Sequence, residues 1–350
     1  QIMRNASMAV LCLLAALLEL DTTYAGQWLI SRPIIAGPLF GLITGDLMAG
    51  IQVGVFAELL FVDISPLGGI IPPSGVMTAA IPMILYSLGI ELYFGFFLGV
   101  LAGILYAHVM ALEDKLNKTD IPGISYKRVA MMEFSRPDIA SVMKDCEKHQ
   151  IDTVFALPLF ISPSGHSEDD IPNILGLKFN PSIREELKEE GINMVKTRMH
   201  IITGPTLMES GVIEKAMIQR VKTLSSNPKE EALIFLAHGD SARIGFWKRI
   251  LNNCADAAKD EGFSYIDYQL IGMGQNFNKD VAPMLKKAKA SKKKVIVQGI
   301  YLVSTVNSMA NNAGIKDDSI VFGSDGILPL SEADVLDWIV NTTKEWIAGK

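Results

Sequence analysis

Residues 32–61 read RPIIAGPLFGLITGDLMAGIQVGVFAELLF, and this run decides how the first third of the chain is built. It contains one base, Arg32, and two acids, Asp46 and Glu58. Small residues recur four apart, at Gly37, Gly41 and Gly45 and again at Gly50 and Gly54. That spacing puts a smooth stripe on one helix face, which lets backbones approach closely in lipid. In water the same glycines weaken a helix. The run therefore predicts packed membrane helices in preference to buried helices of a soluble core.

The apolar character extends from residue 9 to residue 112. A helix that crosses a bilayer needs roughly 20 apolar residues. Residues 9–20 are short for this, whereas 33–63 and 76–112 are long enough, the second as two short spans or one long one. Lys115, Lys118, Lys127 and Arg128 follow closely. Under the positive-inside rule, we expect residues 9–112 to lie in the cell membrane and residues 119–350 to lie in the cytoplasm.

The charge and the cysteines exclude other classes of function. The formal net charge is −6, which argues against nucleic acid as a partner, because non-specific binding needs bases that neutralise phosphates. Cys12, Cys146 and Cys254 lie far apart without metal-site spacing. They are expected to be unpaired thiols.

The order R-P, G-P, G-D and E-L in residues 32–60, with the P-P loop near residue 72, resembles a family of transporters. It is similar to the membrane permease subunit, enzyme IIC, of mannose/sorbose-type sugar phosphotransferase systems, over residues 9–118. The resemblance implies a helix bundle in membrane lipid that carries a hexose with other phosphotransferase subunits. It makes Glu58, with Gln52 nearby, the sugar-contact candidates. The family's membrane domain is much longer than this segment.

The remaining chain contains two weakly similar copies of one pattern, at residues 125–166 and 264–307. Each copy has a short strand, an amphipathic helix (about 136–149 and 278–290), an apolar strand and a polar turn. Buried apolar strands alternating with helices predict parallel sheets covered by helices. Two copies predict two lobes that face a cleft. Only the second copy is preceded by an apolar strand, residues 233–237, and a helix at about 245–260, so the first copy is expected to lack its opening strand and helix.

Two histidines follow apolar strands in these copies. His166 precedes a helix start at which Ser167 and Asp170 form a plausible capping box, and the helix dipole there disfavours imidazolium. His238 ends a strand, and ligands gather beyond the carboxyl ends of parallel strands. A neutral imidazole is both a metal ligand and a base. A structural, hydrogen-bonded role is the alternative for each. His200, at the end of a strand-like run from residue 193, joins no motif.

The segments VFALPLFISPSGHSEDDIPNIL (154–175), MEFSRPDIASVM (132–143) and LIFLAHGDS (233–241) resemble sirohydrochlorin chelatases of the CbiX type, over residues 126–347. Such lyases insert cobalt, iron or nickel into a tetrapyrrole for cobalamin or siroheme synthesis. The resemblance implies that His166 and His238 bind the divalent ion and accept pyrrole protons, assisted by Glu133. Ser164, Gly165 and Gly239 would contact the macrocycle. No organic cofactor is implied, because the reaction exchanges a metal for protons.

The predicted fold class is therefore mixed, an α-helical membrane segment followed by an α/β two-lobed chelatase-like domain with parallel sheets. The predicted limits are 1–118 for the permease-like segment, 119–125 for a linker, 126–228 for an incomplete first lobe and 229–350 for the second lobe. Asn307 occupies the position at which His166 would repeat. Three alternatives to an active chelatase remain open: a transport subunit with a cytoplasmic appendage, a metal- or tetrapyrrole-binding module without turnover, and the joined product of two genes.

Overall fold

The computed structural model describes residues 10–19, 30–61, 73–132, 137–271, 277–302, 306–323 and 326–349. The chain divides into two compact units. The first comprises Gln1–Lys115 with Val129–Pro137, and the second comprises Leu116–Arg128 with Asp138–Lys350. The predicted limits of the linker and the lobes stay predictions.

The first unit is helical. Its helices are α1 (Val10–Glu19), α2 (Pro33–Thr44), α3 (Leu47–Phe61), α4 (Gly75–Ser87) and α5 (Leu92–Lys118). The single span predicted for residues 33–63 is wrong. Gly45 ends α2 in the left-handed region at φ 86°, and the Asp46 carboxylate accepts a hydrogen bond from the Ala49 amide at 3.0 Å, at the start of α3. Within the described ranges, only α5 is long and apolar enough to cross a membrane.

The glycine ladders are the places where these helices touch. A Cβ atom added to Gly37 would come within 2.5 Å of the Gly50 carbonyl oxygen and 2.6 Å of the Gly54 Cα. Gly99 of α5 packs in the same way against α4, where an added Cβ would lie 2.6 Å from the Pro82 Cδ. Only glycine permits this backbone approach, which confirms that Gly37, Gly41, Gly50 and Gly54 form packing surfaces. Gly45 does not belong to the stripe, because it ends α2 and an added Cβ there would meet nothing within 4 Å.

The second unit begins with an irregular stretch and then forms a small parallel sheet. Its elements up to residue 224 are α6 (Ile139–Lys148), β1 (Thr153–Ala156), α7 (Ile171–Ile174), α8 (Pro181–Glu189), β2 (His200–Thr203) and α9 (Val212–Leu224). Strands β1 and β2 pair in parallel, with Val154 opposite Ile201. The predicted strand ending at His200 is wrong, because His200 begins β2 instead.

The larger parallel sheet has the strand order β4-β3-β5-β6. Its strands and helices are β3 (Glu231–Ala237), α10 (Ile244–Asp260), β4 (Tyr265–Leu270), α11 (Phe277–Asp280), α12 (Ala282–Ser291), β5 (Lys294–Ile300), α13 (Val306–Asn312), β6 (Ile320–Phe322) and α14 (Ile327–Ala348). Every residue of β3 is buried, because it is a central strand. Apolar residues of β3, β5, α12 and α13 share one core.

The two copies predicted from the sequence have matching hydrogen bonds. The Gly204 amide donates to the Ala156 carbonyl at 2.9 Å, and the Gly323 amide donates to the Val297 carbonyl at 2.8 Å. Further along, the carbonyls of Phe160 and Tyr301, which are equivalent in the sequence comparison, each accept an amide at 2.9 Å. Strands β1 and β2 therefore correspond to β5 and β6.

Three local predictions in the copies are corrected. The short strand that opens the first copy is predicted at residues 129–132, but the structure has only an isolated bridge at Met131, since a strand forms only beside a neighbour. The first amphipathic helix begins at Ile139, where the Asp138 carboxylate accepts the Ser141 amide at 2.7 Å. The helix predicted for residues 278–290 is divided at Val281 into α11 and α12.

Candidate metal and substrate site

The His166 segment lies beyond the carboxyl end of β1. The strand ends at Ala156, and a loop containing Pro158 and Pro163 leads to a π-helical turn, His166–Asp170, that continues into α7. The Ser167 hydroxyl accepts the Ser164 amide at 2.9 Å, which turns the chain. Ser164 and Gly165 are half-buried beside the exposed His166.

Asp170 orients His166 instead of capping a helix. Its carboxylate lies 2.7 Å from the His166 Nδ1, and it makes no side-chain cap. The predicted capping box of Ser167 and Asp170 is therefore wrong. A carboxylate only accepts, so we assign the ring proton of neutral His166 to Nδ1. This leaves the Nε2 lone pair free, and within the described ranges Nε2 makes no hydrogen bond. A carboxylate behind Nδ1 is a typical support for a metal-binding imidazole.

The ring of His238 is held in the same way as that of His166, with Nδ1 next to an acceptor. It directly follows β3 and is exposed, and its Nδ1 lies 2.8 Å from the Gly239 carbonyl oxygen. Because a carbonyl can only accept, Nδ1 carries the proton and Nε2 is again the free nitrogen. Gly239 has φ 80°, and a Cβ there would approach the Leu270 Cβ to 3.0 Å. Glycine is required for the chain to turn directly after His238.

Arg243 brings the two histidine segments together. Its Nη2 binds the Asp169 carboxylate at 2.7 Å, and its Nη1 lies 3.5 Å from the Asp240 carboxylate. Asp169 is part of the His166 turn, and Asp240 is part of the His238 loop. One guanidinium therefore holds loops from different lobes side by side. Nothing in the sequence pattern singled out Arg243.

A cavity of about 330 Å³ lies behind the His166 turn. It is lined by prolines, by Ser167, Glu168 and Lys178, and by residues that follow β2 such as Thr206. The Lys178 ammonium lies 3.6 Å from the Asp169 carboxylate. The cavity lining includes parts of the turn but neither histidine.

Other predicted residues are not joined to this pair. Glu133 lies outside the described residues. Asn307, the counterpart of His166, is exposed on α13. Among the described side chains, no group of three or more His, Cys, Asp or Glu could hold a metal ion. His149 and His200 are also exposed, so what distinguishes His166 and His238 is that Arg243 joins the loops that carry them.

The strand that carries His238 is anchored at its start by a buried carboxylate. Glu231 accepts hydrogen bonds from the Ser226 amide at 3.0 Å and the Asn227 amide at 3.2 Å, and from the Ser225 and Ser226 hydroxyls. Burial by itself would raise the pKa of Glu231, but these donors stabilise the charged form and the net pKa is lowered. The start of β3 is thereby fixed.

Tyr301, at the end of β5, has its hydroxyl buried, and burial raises its pKa. The hydroxyl lies 3.3 Å from the Ile271 carbonyl oxygen, to which it donates. Ile271 follows β4, so this hydrogen bond ties together two strand ends that flank β3. A neutral tyrosine at this place supports the loop of His238 without supplying a base.

In the first unit, the sugar-contact candidates lie apart. The Glu58 carboxylate pairs with Arg32, whose Nε donates at 2.7 Å, and it also accepts the Ile34 amide at 3.3 Å. Gln52 is exposed on the same helix. Six residues along a helix correspond to a rotation of about 240°, so Gln52 and Glu58 point in different directions. A sugar contact for either residue stays a prediction.

Comparisons with known proteins give separate matches for the N-terminal helical segment and for the region that follows it. Residues 6–134 match the family model for the sorbose-specific IIC component of the phosphotransferase system, and residues 112–224 match the CbiX family model. These matches confirm the two resemblances identified from the sequence, one to IIC permeases and one to CbiX-type chelatases.

Individual relatives agree with this division. A putative N-acetylgalactosamine permease IIC component 2 of Escherichia coli K12 is 44% identical over 46 residues, which are 13% of this chain and 35% of that protein. A sirohydrochlorin cobaltochelatase of Methanococcus maripaludis is 36% identical over 69 residues, 20% of this chain and 46% of that protein. The chain therefore spans less than half the length of either curated relative.

A solved structure gives the fold of the second unit. SirB from Bacillus subtilis with Fe³⁺ has a TM-score of 0.50 and 14% identity, and it covers 68% of this chain and 88% of its own. At this identity the similarity shows the fold alone. The C-terminal region thus has a chelatase-like fold with parallel sheets.

Proposed function

We propose that the second unit is a metal chelatase, a lyase that inserts divalent cobalt, iron or nickel into a sirohydrochlorin-type tetrapyrrole for cobalamin or siroheme synthesis. The observation that carries the proposal is the matched pair of imidazoles. His166 and His238 each have Nδ1 held by an acceptor and Nε2 exposed, and Arg243 holds their loops side by side. Imidazole nitrogen suits all three ions.

In this proposal the histidines hold the incoming ion and receive protons. Metal insertion replaces two pyrrole N–H protons by one divalent cation, so the site must present lone pairs and then accept protons. Asp170 fixes the orientation of the His166 ring. Ser164, Gly165 and Gly239 contact the macrocycle, and Glu133 is the proposed further proton acceptor. The metal is a substrate, and no organic cofactor takes part.

The test is anaerobic insertion of Co²⁺ into sirohydrochlorin by the full chain, followed by the absorption of the tetrapyrrole. His166→Ala should lower kcat/KM by about 10²-fold or more, the usual contribution of a positioned acid–base group. His200→Ala is the matched control, because this histidine is also exposed but lies at the start of β2. Equal rates for wild type and His166→Ala would remove the proposal. Metal binding without turnover in the wild type would favour the binding module.

For the first unit we propose a permease-like membrane segment, with the second unit in the cytoplasm. Many large apolar side chains are exposed on its helices, among them Leu42, Met48, Leu59, Leu60, Tyr93 and Phe94. Such a surface suits lipid or a second phosphotransferase membrane subunit. Hexose binding in detergent, weakened by Glu58→Gln, would support a transport role. Absence of binding with the partner subunit present would refute it.

Whether a single message encodes both units of the chain can be tested directly. Sequencing a transcript across codons 110–130 distinguishes a natural fusion from a joined product. A single uninterrupted message supports one protein with two parts, whereas two messages refute it.

A further inference from the structure

The first lobe has an open sheet edge at β1. In a parallel pair, alternate residues of a strand bond to the same neighbour. The carbonyls of Asp152 and Ala156 accept amides from β2, so the backbone groups of Thr153 and Phe155 face the opposite edge. No hydrogen bond joins those groups to any residue in the described part of the chain. The strand is also only half-buried along its whole length.

The second lobe shows what occupies this position when it is filled. Phe155 corresponds to Ile296 of β5 in the register of the two copies. The Ile296 backbone pairs with Leu233 of β3, and residues 295–297 are completely buried. Strand β5 thus has neighbours on both sides, β3 and β6, whereas β1 has β2 alone. The outer edges of β2 and β6 are both free of a described strand, so the duplication identifies the β1 edge as the incomplete one.

We propose that the β1 edge is a docking site for a strand from another polypeptide, which adds in parallel and completes the first lobe. The partner segment is apolar and extended, with the pattern of β3, EALIFLA, in which every residue is buried. Addition of a strand to an open edge supplies main-chain hydrogen bonds, and the alternate side chains give specificity. This inference concerns the sheet and does not depend on the chelatase chemistry.

The probe is a labelled synthetic peptide with the sequence of residues 229–240, KEEALIFLAHGD, added to the full chain in detergent micelles. Binding is followed by fluorescence anisotropy. In β3, Ile234 and Leu236 direct their amides toward β5, whereas Leu233 and Phe235 direct theirs toward β4. N-methylation of the first pair should abolish binding, and N-methylation of the second pair should leave it nearly unchanged.

Two proline variants of the protein form a matched pair. Thr153→Pro removes a donor from the open edge of β1 and should weaken binding by about tenfold or more, since proline cannot donate to a ladder. Thr203→Pro makes the same replacement at the outer edge of β2 and should bind the peptide like wild type. Circular dichroism and thermal unfolding establish that both variants are folded.

Three results would overturn the proposal. The first is no saturable binding of the unmodified peptide up to about 100 μM. The second is equal binding by both N-methylated peptides, which would mean adsorption without strand pairing. The third is a dimer of the chain, seen by sedimentation, that Thr153→Pro dissociates while the peptide does not bind. In that case the edge is occupied by a second copy of this chain and not by an extended segment of a different protein with the pattern of β3.

Discussion

Replacing Gly37 with alanine is expected to force α2 and α3 apart. The new methyl group would lie 2.5 Å from the Gly50 carbonyl oxygen and 2.6 Å from the Gly54 Cα, whereas ordinary contact begins at 3.4 Å. The difference between 3.4 and 2.5 Å requires about 0.9 Å of separation at the crossing, because neither backbone atom can rotate away. Overpacking of this kind costs about 1–3 kcal/mol. Better helix propensity returns up to about 1 kcal/mol.

The measurement is thermal unfolding in detergent, followed by helical circular dichroism. Gly95→Ala is the matched control, since its added Cβ would meet the Pro82 Cα at 3.4 Å, an ordinary contact. Both substitutions gain the same propensity, so the difference between their unfolding free energies isolates the clash. We expect Gly37→Ala to be less stable than Gly95→Ala by about 1–3 kcal/mol. Equal stability of the two variants would refute the close helix crossing.

Three further predictions concern the second unit. Asp170→Ala should lower Co²⁺ affinity about 10- to 100-fold by calorimetry, because His166 loses the group that fixes its ring; unchanged affinity would contradict that role. Arg243→Gln should change the unfolding free energy by less than about 1 kcal/mol, since the pair with Asp169 is partly exposed, yet slow metal insertion at least about tenfold; an unchanged rate would argue against positioning. Glu231→Gln should cost about 2 kcal/mol at pH 7 in urea unfolding. The wild-type advantage is present above the unfolded carboxyl pKa of about 4.3 and is lost as the pH falls through the lower folded value, so curves that stay parallel into acid would contradict it.

The sequence alone predicted those features that depend on residues close together in the chain. The glycine stripes were identified from spacing alone, because residues four apart share a helix face. Strand β3 was identified because residues 233–237 are all apolar and are followed by His238 and Gly239, the second of which has a positive φ. The duplication was visible because equivalent strands retained the same order of apolar residues.

Features that depend on contacts between residues far apart in the chain could not be predicted from local sequence patterns. Residues 129–132 have the composition of a strand, but a strand forms only beside a partner. Asp170 fits a capping pattern in sequence, and only the π-helical turn shows that its carboxylate faces the His166 ring. The contact of Arg243 with Asp169 joins residues 74 apart, a pairing that no local pattern encodes.

Because Arg243 contacts a carboxylate in each of two loops, substitutions in the two lobes affect one another. Asp169 and Asp240 both contact the Arg243 guanidinium, so the loss of either carboxylate changes the charge around the cation that the other carboxylate contacts. Substitutions in the two loops should therefore be non-additive, and a change acceptable in one genetic background can be harmful in another. Although the two lobes have the same pattern of strands and helices, at this point a substitution in one lobe changes the surroundings of a charged group in the other.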